Sequence, residues 1–433
     1  MNIKHLSAFL FVYCGHVFCQ DTLKYTLEDI FQLAASNSRE VKISTLDKKG
    51  SEFDLQAAKY NRLPQISGRA SADYATNMPI YDNGLFHTPS QHDVIHFLYN
   101  TGADFYLNLY KGSQNELQIR DKQIRDELSE VKLQETVAQT KLTACFAFLE
   151  LYRAYIFRNV IKEDIDDQKQ QLKEISDLYK SGVVLHSDVL RIELELSKRE
   201  YLLVEIENDI KRLSQKIQLI IGSENSKIIF PMIVQEQART ETFENSFLSA
   251  SENAFSLRKS ELMEKLSMLD VKKQRAQFMP QLSLEGSFTF ANPQIFLYPY
   301  NASWYTLGIV GLKLRIPISN WYLNKPQMEK AKLEQLKEEE AHLNEEDHLK
   351  NELLNASLQY EEATVKRGIC EKNIALTQEN LRIIKDNYFQ STALITDLLD
   401  ANMNYLKSIF ELETAKMNQL QYYYQIEFLK GSL

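Results

Sequence analysis

The sequence predicts a mainly α-helical protein with a small β part, built from two copies of one unit. The stretch "RLPQISG" at residues 62–68 returns as "FMPQLSL" at residues 278–284, 216 residues later. Further along, "YKSGVVLHSDVL" at 179–190 matches "YFQSTALITDLL" at 388–399, at a spacing of 209 residues. Each copy is about 200 residues long, too long for a solenoid repeat and of ordinary domain size. We infer an internal duplication.

We call the spacing of the first match, 216 residues, the longer spacing. The spacing of the second match, 209 residues, is the shorter spacing. Because the two differ, the first copy carries seven extra residues somewhere between Gln65 and Tyr179. The predicted order is a signal peptide at 1–19, a first repeat at 20–222, a linker at 223–247 and a second repeat at 248–433.

A secretory signal peptide is predicted because Lys4 and His5 precede an apolar run, and Cys19 lies directly before the predicted cleavage site. A lipidated Cys19 is the alternative interpretation. Export is predicted in either case.

The predicted helices are long because residues that end helices are rare. Gly and Pro are absent from 113–181 and from 183–221, and Gly368 is the single one in 327–430. A helix over the first of these stretches would be about 100 Å long. Each repeat is therefore predicted to end in a long helical hairpin, with its turn at Gly182 in the first and at Ser391 in the second.

Four strands are predicted, at 65–74, 101–110, 281–290 and 304–317. In each, apolar and polar residues alternate, as in Leu282, Ser283, Leu284 and Glu285, so that one face is apolar and the other polar. This pattern fits a transmembrane β-barrel and, equally, two hairpins packed on helices in a soluble protein.

Aromatic residues near the strand ends and the signal peptide favour the barrel. The aromatic residues are Tyr99, Tyr110, Tyr298, Tyr300, Trp304 and Trp321. Since membrane barrels need at least eight strands, four strands predict a barrel shared between subunits.

The charge pattern argues against nucleic acid as a partner. The net charge is -9, and acidic and basic residues are interspersed. Cys145 and Cys370 are predicted to be buried free thiols. No apolar run of eighteen residues follows the signal peptide, so we predict no membrane-spanning helix.

The sequence contains no glycine-rich phosphate loop, no HExxH and no GxSxG motif. Two Glu-x-x-His motifs, ending at His342 and His348, resemble half of a di-metal carboxylate site. They lie six residues apart and would point about 240° away from each other on one helix.

The longer strand loop carries His87, His92 and His96, which could bind Zn or Cu, although a polar loop is favoured. We predict no enzyme, no metal site and no cofactor. An exported coiled-coil spacer and a di-metal helical-bundle enzyme remain the alternatives.

The ordered set of motifs resembles the TolC-like outer-membrane efflux protein family. It comprises the "LPQ" and "MPQ" junctions, the corners "LNLYKGS" and "IPISNWY", and the two hairpin turns. The resemblance implies a homotrimer whose long helices form an α-barrel and whose subunits each give four strands to a twelve-stranded transmembrane β-barrel.

The resemblance also implies a location and partners. The channel would lie in the outer membrane of a Gram-negative bacterium, contact its lipid and extend into the periplasm. It would passively conduct cargo from an inner-membrane pump and a periplasmic adaptor protein, in tripartite efflux or type I secretion. The cargo, whether drug, metal ion or protein, is left open.

At the pore entrance, the resemblance implies roles for four residues. Asp397 and Asp400 match an acidic entrance pair, and Asp188 and Tyr388 match residues that hold the entrance closed. Carboxylates at a helix start are also explained by the helix dipole. Ala393 stands where members carry an arginine, so the closing contacts are left open.

Further candidates lie at the helix tips and along the strands. The candidate adaptor contacts at the tips are Gly182, Val183, Val184, Ser391 and Thr392. The candidate pore-lumen residues, from the polar strand faces, are Arg69, Asp73, Glu285, Lys313 and Arg315; ordinary wetting of a pore wall explains them equally well.

Overall fold

The structure, a computed structural model, describes residues 23–223, 227–232, 243–295 and 301–433. The predicted signal peptide with Cys19, most of the linker, and Tyr298 and Tyr300 lie outside the described residues. The described helices are α1 (Leu27–Asn37), α2 (Arg39–Tyr60), α3 (Gln114–Lys180), α4 (His186–Ile220), α5 (Phe243–Asn253), α6 (Phe255–Ala276), α7 (Asn320–Leu323), α8 (Lys325–Phe389) and α9 (Ile395–Leu429). The described strands are β1 (Leu23–Tyr25), β2 (Gln65–Tyr74), β3 (Met78–Ile80), β4 (Ser90–His92), β5 (Phe97–Lys111), β6 (Ile229–Pro231), β7 (Gln281–Asn292) and β8 (Tyr305–Arg315).

The bounds of the helices reproduce the duplication. Helices α1 and α5 have 11 residues each, α2 and α6 have 22 each, and the starts of both pairs are separated by the longer spacing. Helices α4 and α9 have 35 residues each, and their starts are separated by the shorter spacing. We expected one helix at the start of each repeat, but the structure has two. The helix is interrupted because the backbone is extended at Ser38 and Ala254 (ψ 138° and 130°).

The seven extra residues of the first copy lie in one loop. Gln65 pairs with Tyr106 in the first repeat, and Gln281 pairs with Arg315 in the second. The repeats are therefore related by the longer spacing before the loop and by the shorter spacing after it. The extra residues lie between Tyr74 and Phe97, a segment that also carries the small hairpin β3–β4.

The long helices are as the sequence predicts. Helix α3 has 67 residues and α8 has 65, so each extends for about 100 Å at 1.5 Å per residue. Gly368 lies inside α8 without ending it. None of the helices in the described part of the chain combines the length and the hydropathy needed to cross a lipid bilayer.

The chain divides into two compact units. The helical unit comprises the described residues within 1–42, 136–250 and 351–433. The sheet unit comprises residues 43–135 and 251–350.

Close helix packing forms the core of the helical unit. Small side chains on α3, such as Ala144 and Ala147, are fully buried and let α1 and α4 approach. Cys145 is also fully buried and free, as predicted, and burial raises the pKa of its thiol. Strands β1 and β6 pair in parallel beside this core, and the Tyr155 hydroxyl donates to the Ile229 carbonyl at 3.0 Å.

Four strands of the sheet unit form one antiparallel sheet in the order β2-β5-β7-β8. Strand β5 begins at Phe97, four residues before the predicted start, because it continues to pair with β2 as far as Tyr74. The second strand of the first repeat thus lies beside the first strand of the second repeat. Strands β2 and β8 are the edges of the described sheet.

Candidate functional sites at the helix tips and on the sheet

The two helical hairpins turn in the same way. Gly182 (φ 75°) and Ser391 (φ 62°) occupy equivalent places, both in the left-handed region of the backbone. Val183 N–H donates to the Leu178 carbonyl and Gly182 N–H to the Tyr179 carbonyl, which closes a Schellman turn. Thr392 and Ser391 repeat both bonds after α8.

Apolar side chains join the two hairpins directly behind these turns. We call this group the tip cluster; its buried members are Ile175, Val189, Ile192, Tyr388, Ile395 and Leu398. Ala393 packs against it, at the position where the resemblance implies an arginine. The methyl side chain of Ala393 adds to the apolar contact of the tip cluster and provides no charge for an ion pair.

The structure brings together two of the predicted entrance residues, Tyr388 and Asp188. Tyr388 is only 6% exposed, and its hydroxyl has no hydrogen-bond partner among the described residues. Burial, together with the nearby negative charge of Asp188, raises the pKa of Tyr388 to about 12. Its counterpart in the first repeat, Tyr179, is exposed and lies against His186.

The predicted acidic pair lies at the start of α9, and both side chains are exposed. Asp397 Oδ2 accepts a hydrogen bond from the Leu394 N–H at 3.1 Å, so this carboxylate caps the helix. Asp400 has no hydrogen-bond partner within the described residues. Asp397 therefore has a structural role that Asp400 lacks.

Four of the five predicted adaptor contacts are exposed: Gly182, Val183, Ser391 and Thr392. Val184 is different, because it is half-buried and packs against the tip cluster.

A buried polar network, which the sequence analysis did not find, lies farther along the same hairpins. Arg199 Nε donates to Asp164 Oδ2 at 2.8 Å, and Asn402 Nδ2 donates to Asp164 Oδ1 at 3.2 Å. The three residues come from α4, α3 and α9 and are nearly inaccessible to solvent. No sequence signal could have found it, since Asp164 and Asn402 are 238 residues apart.

On the sheet, all five predicted lumen residues share one face. The register aligns Arg69 with Gly102 and Thr289, and Lys313 with Ser283, on this charged face. Arg69 forms an ion pair with Asp104 and donates to Thr289 Oγ1 at 2.8 Å. Lys313 lies 3.3 Å from Glu285. Asp104 belongs to the same polar alternation, which would have identified it.

The other two predicted lumen residues are at the sheet edges. Asp73 on β2 and Arg315 on β8 are exposed and have no ion-pair partner among the described residues.

The opposite face of the sheet is apolar and uncovered. Ile66, Val310 and Leu312 are 75%, 77% and 68% exposed. A row of stacked or edge-on aromatic rings ends this face beside the strand loops: Tyr74, Phe97, Tyr99, Trp304 and Phe290. At the other end, Trp321 packs on Phe278 and is largely exposed.

The motifs considered for metal binding take part in other contacts. Ser260 Oγ lies 2.7 Å from His342 Nδ1, and Glu339 accepts a hydrogen bond from Gln335. In the longer loop, His96 stacks on Tyr74 and bonds to the Ala75 carbonyl. Within the described ranges, no three His, Cys, Asp or Glu side chains are grouped so that they could hold a metal ion.

Comparisons with known proteins agree with this geometry. Residues 248–432 match the family model of the outer membrane efflux protein. The fold is similar to that of the outer-membrane channel OprN (17% identity, 94% of this chain and 90% of that chain, TM-score 0.78). It is also similar to CmeC of Campylobacter jejuni (15%, 94% and 85%, 0.78) and to VceC of Vibrio cholerae (14%, 94% and 96%, 0.78). No curated protein sequence matches the chain.

Long paired helices and a sheet with an exposed apolar face thus define a protein with the fold of outer-membrane channels. The second repeat matches the family model of outer membrane efflux proteins, and the first repeat has the same order of long helices and sheet strands.

Proposed function

We propose that three copies of the chain form one channel in the outer membrane of a Gram-negative bacterium. Each subunit gives its four-stranded sheet to a twelve-stranded transmembrane β-barrel and its long helices to an α-barrel in the periplasm. The channel passively conducts cargo that an inner-membrane pump and a periplasmic adaptor protein deliver, in tripartite efflux or type I secretion.

The distribution of polarity on the sheet carries this proposal. A sheet in a soluble protein buries its apolar face, since exposing a large contiguous apolar patch to water is unfavourable. Here the apolar face is exposed and bordered by aromatic rings, whereas the other face carries ion pairs such as Lys313–Glu285. In a barrel, lipid on the outside accounts for the apolar face, and water on the inside accounts for the charged face.

The sheet edges support a shared barrel. Lipid offers no hydrogen bonds, so a sheet that spans it must pair every strand edge. Four strands are too few to close alone, and three sheets make twelve strands, an even number within the known range.

At the periplasmic end, we assign Asp397 and Asp400 to the entrance, where a trimer would form two rings of three carboxylates that favour cations. Tyr388 and Asp188 belong to the same closing region. Because Ala393 provides no charge, we propose that the entrance is held by the apolar contacts of the tip cluster. The exposed turn residues Gly182, Val183, Ser391 and Thr392 would contact the adaptor.

The alternatives explain less. An exported coiled-coil spacer would have long helices but no use for an exposed apolar sheet. A di-metal enzyme would need free carboxylates and histidines, whereas His342 already bonds to Ser260. We propose that the protein has no catalytic role.

The test is the mass of the protein extracted from outer membranes, measured by light scattering and corrected for bound detergent. We expect the mass of three subunits, together with single-channel conductance in a planar bilayer. A monomer that stays soluble without detergent would overturn the barrel and with it the channel.

A further inference from the structure

Strand β5 contains a β-bulge near the end of the sheet from which α3 begins. The register of β5 against β7 shifts between Asn108 and Tyr110, so that Leu109 is an extra residue of β5. A strict alternation would place Tyr110 on the charged face of the sheet and Lys111 on the apolar face. Because the bulge inserts one residue, both side chains exchange faces.

The pairing of β5, β7 and β8 gives the result of this exchange. Lys111 lies opposite Gln281, and Gln281 lies opposite Arg315. These three residues form one row across the charged face, which we call the basic row. Tyr110 lies opposite Leu282 on the apolar face, where an aromatic side chain suits a membrane boundary. The bulge thus moves a cation away from the apolar face and an aromatic ring onto it.

The basic row contains two cations and no acidic residue. Lys111 is half-buried, Arg315 is exposed, and neither has a hydrogen bond or an ion pair among the described residues. The next row on the charged face also lacks an acidic residue, and the row beyond it carries Glu285, which pairs with Lys313. The charges of the basic row are therefore not balanced by an acidic residue of the neighbouring strands.

The side chains of the basic row suit an anion. Neighbouring strands lie about 4.8 Å apart, so the Cα atoms of Lys111 and Arg315, two strands apart, are separated by about 10 Å. This spacing is close to the Debye length in physiological salt, so the fields of the two cations overlap. Lys, Gln and Arg all offer N–H donors, and Arg binds a carboxylate or a phosphate through two of them. An anion with several charged oxygens can therefore contact both cations.

We propose that the basic row binds anionic solutes that carry phosphate or carboxylate groups as they pass through the channel. This site rests on the proposed function, in which the charged face lines the pore. A trimer places three copies of Lys111 and three of Arg315 around the pore, and rings of Lys and Arg favour anions. The strands thus carry a site of opposite charge to Asp397 and Asp400, which we assign to the entrance.

The test is block of the single-channel current by sodium pyrophosphate, added on the side of the strand loops. The double variant Lys111→Gln with Arg315→Gln removes both charges and keeps polar side chains. We expect it to need roughly tenfold more pyrophosphate for half block than the parent, the effect of losing two modest ion pairs. Lys111→Gln alone should need roughly threefold more, and it replaces the double variant if that variant does not assemble.

The matched control is Lys313→Gln with Glu285→Gln. It removes an ion pair from the same face without changing the net charge, so its half-blocking concentration should equal that of the parent. Equal block in the parent and in Lys111→Gln with Arg315→Gln, measured on conducting channels with the mass of three subunits, overturns the anion site alone. A protein that has neither that mass nor any conductance overturns the proposed function itself.

Chemical modification tests the faces that the bulge assigns. Conducting channels of Lys111→Cys and Tyr110→Cys are treated with an anionic, water-soluble methanethiosulfonate. We expect the conductance of Lys111→Cys to change, because its thiol faces water in the pore, and that of Tyr110→Cys to stay the same. The parent should also be unchanged, since Cys145 and Cys370 are buried. An unchanged conductance in Lys111→Cys, or a change in Tyr110→Cys alone, overturns the assignment of faces.

Lipid headgroups also carry phosphate, and a comparison of bilayers separates them from dissolved anions. The parent and the double variant Lys111→Gln with Arg315→Gln are measured in neutral phosphatidylcholine and in anionic phosphatidylglycerol. The ratio of their half-blocking concentrations should be the same in both, because dissolved anions reach the basic row through the pore. A ratio near one in the anionic bilayers would show that headgroups occupy the row, and it would overturn a site for solutes.

Discussion

At the scale of single residues, Tyr388 shows that equivalent positions in the two repeats differ in burial. Tyr388 and Tyr179 occupy equivalent places before the two turns, yet one is buried in the tip cluster and the other is exposed. The buried hydroxyl has no partner among the described residues, which is unfavourable by about 1–3 kcal/mol.

We expect Tyr388→Phe to keep or raise the melting midpoint of the purified channel, by the equivalent of up to about 1 kcal/mol, since it removes that hydroxyl. The matched control Tyr179→Phe should change stability by less than about 0.5 kcal/mol. Circular dichroism during heating measures both. A large loss in Tyr388→Phe alone would show that the hydroxyl is bonded in the assembled channel.

The raised pKa of Tyr388 predicts that the stability of the folded protein depends on pH. This pKa is about 12 in the folded protein, against an ordinary value near 10 in the unfolded chain. The unfolded state therefore releases this proton first, and the stabilising contribution is complete below about pH 10 and is lost as pH rises towards 12. We expect the parent to lose more stability than Tyr388→Phe between pH 9 and about 11 in melting experiments. Equal losses would contradict the assignment.

Gly102 of β5 is a second residue that the packing requires. A Cβ added there would meet the Phe288 carbonyl oxygen and lie 3.3 Å from Thr289 Cα. We expect Gly102→Ala to cost about 1–3 kcal/mol, as overpacking does, and to lower the amount of assembled channel in outer membranes. Gly308→Ala, with nothing within 4 Å of its Cβ, is the control and should assemble normally.

At the scale of elements, the turn between α3 and α4 depends on backbone conformation more than on contacts. Gly182 has φ 75°, and a Cβ added to it would meet no atom within 4 Å. We expect Gly182→Ala to destabilise by about 1 kcal/mol through its left-handed conformation alone. Gly368→Ala, equally unobstructed but inside α8, should stabilise by about 0.5–1 kcal/mol. The two melting midpoints should therefore move in opposite directions.

The packing of α3, α4 and α9 depends on the buried network around Asp164. Arg199→Ala leaves this carboxylate buried without its ion-pair partner, which costs about 3–5 kcal/mol. Arg212→Ala on the same helix is the control, because its partner Asp209 lies three residues away on an exposed surface and the pair contributes less than about 1 kcal/mol. Similar melting midpoints for the two variants would contradict a structural role for the network.

At the scale of the whole molecule, the proposed position of Asp397 and Asp400 at the pore entrance predicts ion selectivity. Asp397→Asn keeps an oxygen that can cap α9, and it removes only the charge; Asp400→Asn removes the second charge. We expect the double variant to lose most of its preference for cations over anions, measured as the reversal potential across a salt gradient. Glu116→Gln, an exposed carboxylate at the start of α3 in the sheet unit, should retain it. An unchanged reversal potential in the double variant would place the selective ring elsewhere.

Much of this architecture follows from local sequence pattern. Helix lengths follow from the absence of Gly and Pro. The two faces of β2 and β7 follow from apolar and polar residues that alternate with a period of two. The strand faces also identified the charged residues Arg69, Glu285 and Lys313, although not their partners. Which charges pair depends on strands that are distant in sequence, as for Arg69 and Thr289, 220 residues apart.

The duplication, the helical hairpins with their turns, and the two-faced strands are all evident in the sequence, because each of these features is written in the order of residues along the chain. Three features became evident only from the folded chain: β5 lies beside β7, Tyr388 is buried while Tyr179 is exposed, and Asp164 bonds to both Arg199 and Asn402. These features depend on how whole hairpins pack against each other. The two copies have the same order of helices and sheet strands, so the place of a residue in its repeat does not by itself decide whether it is buried.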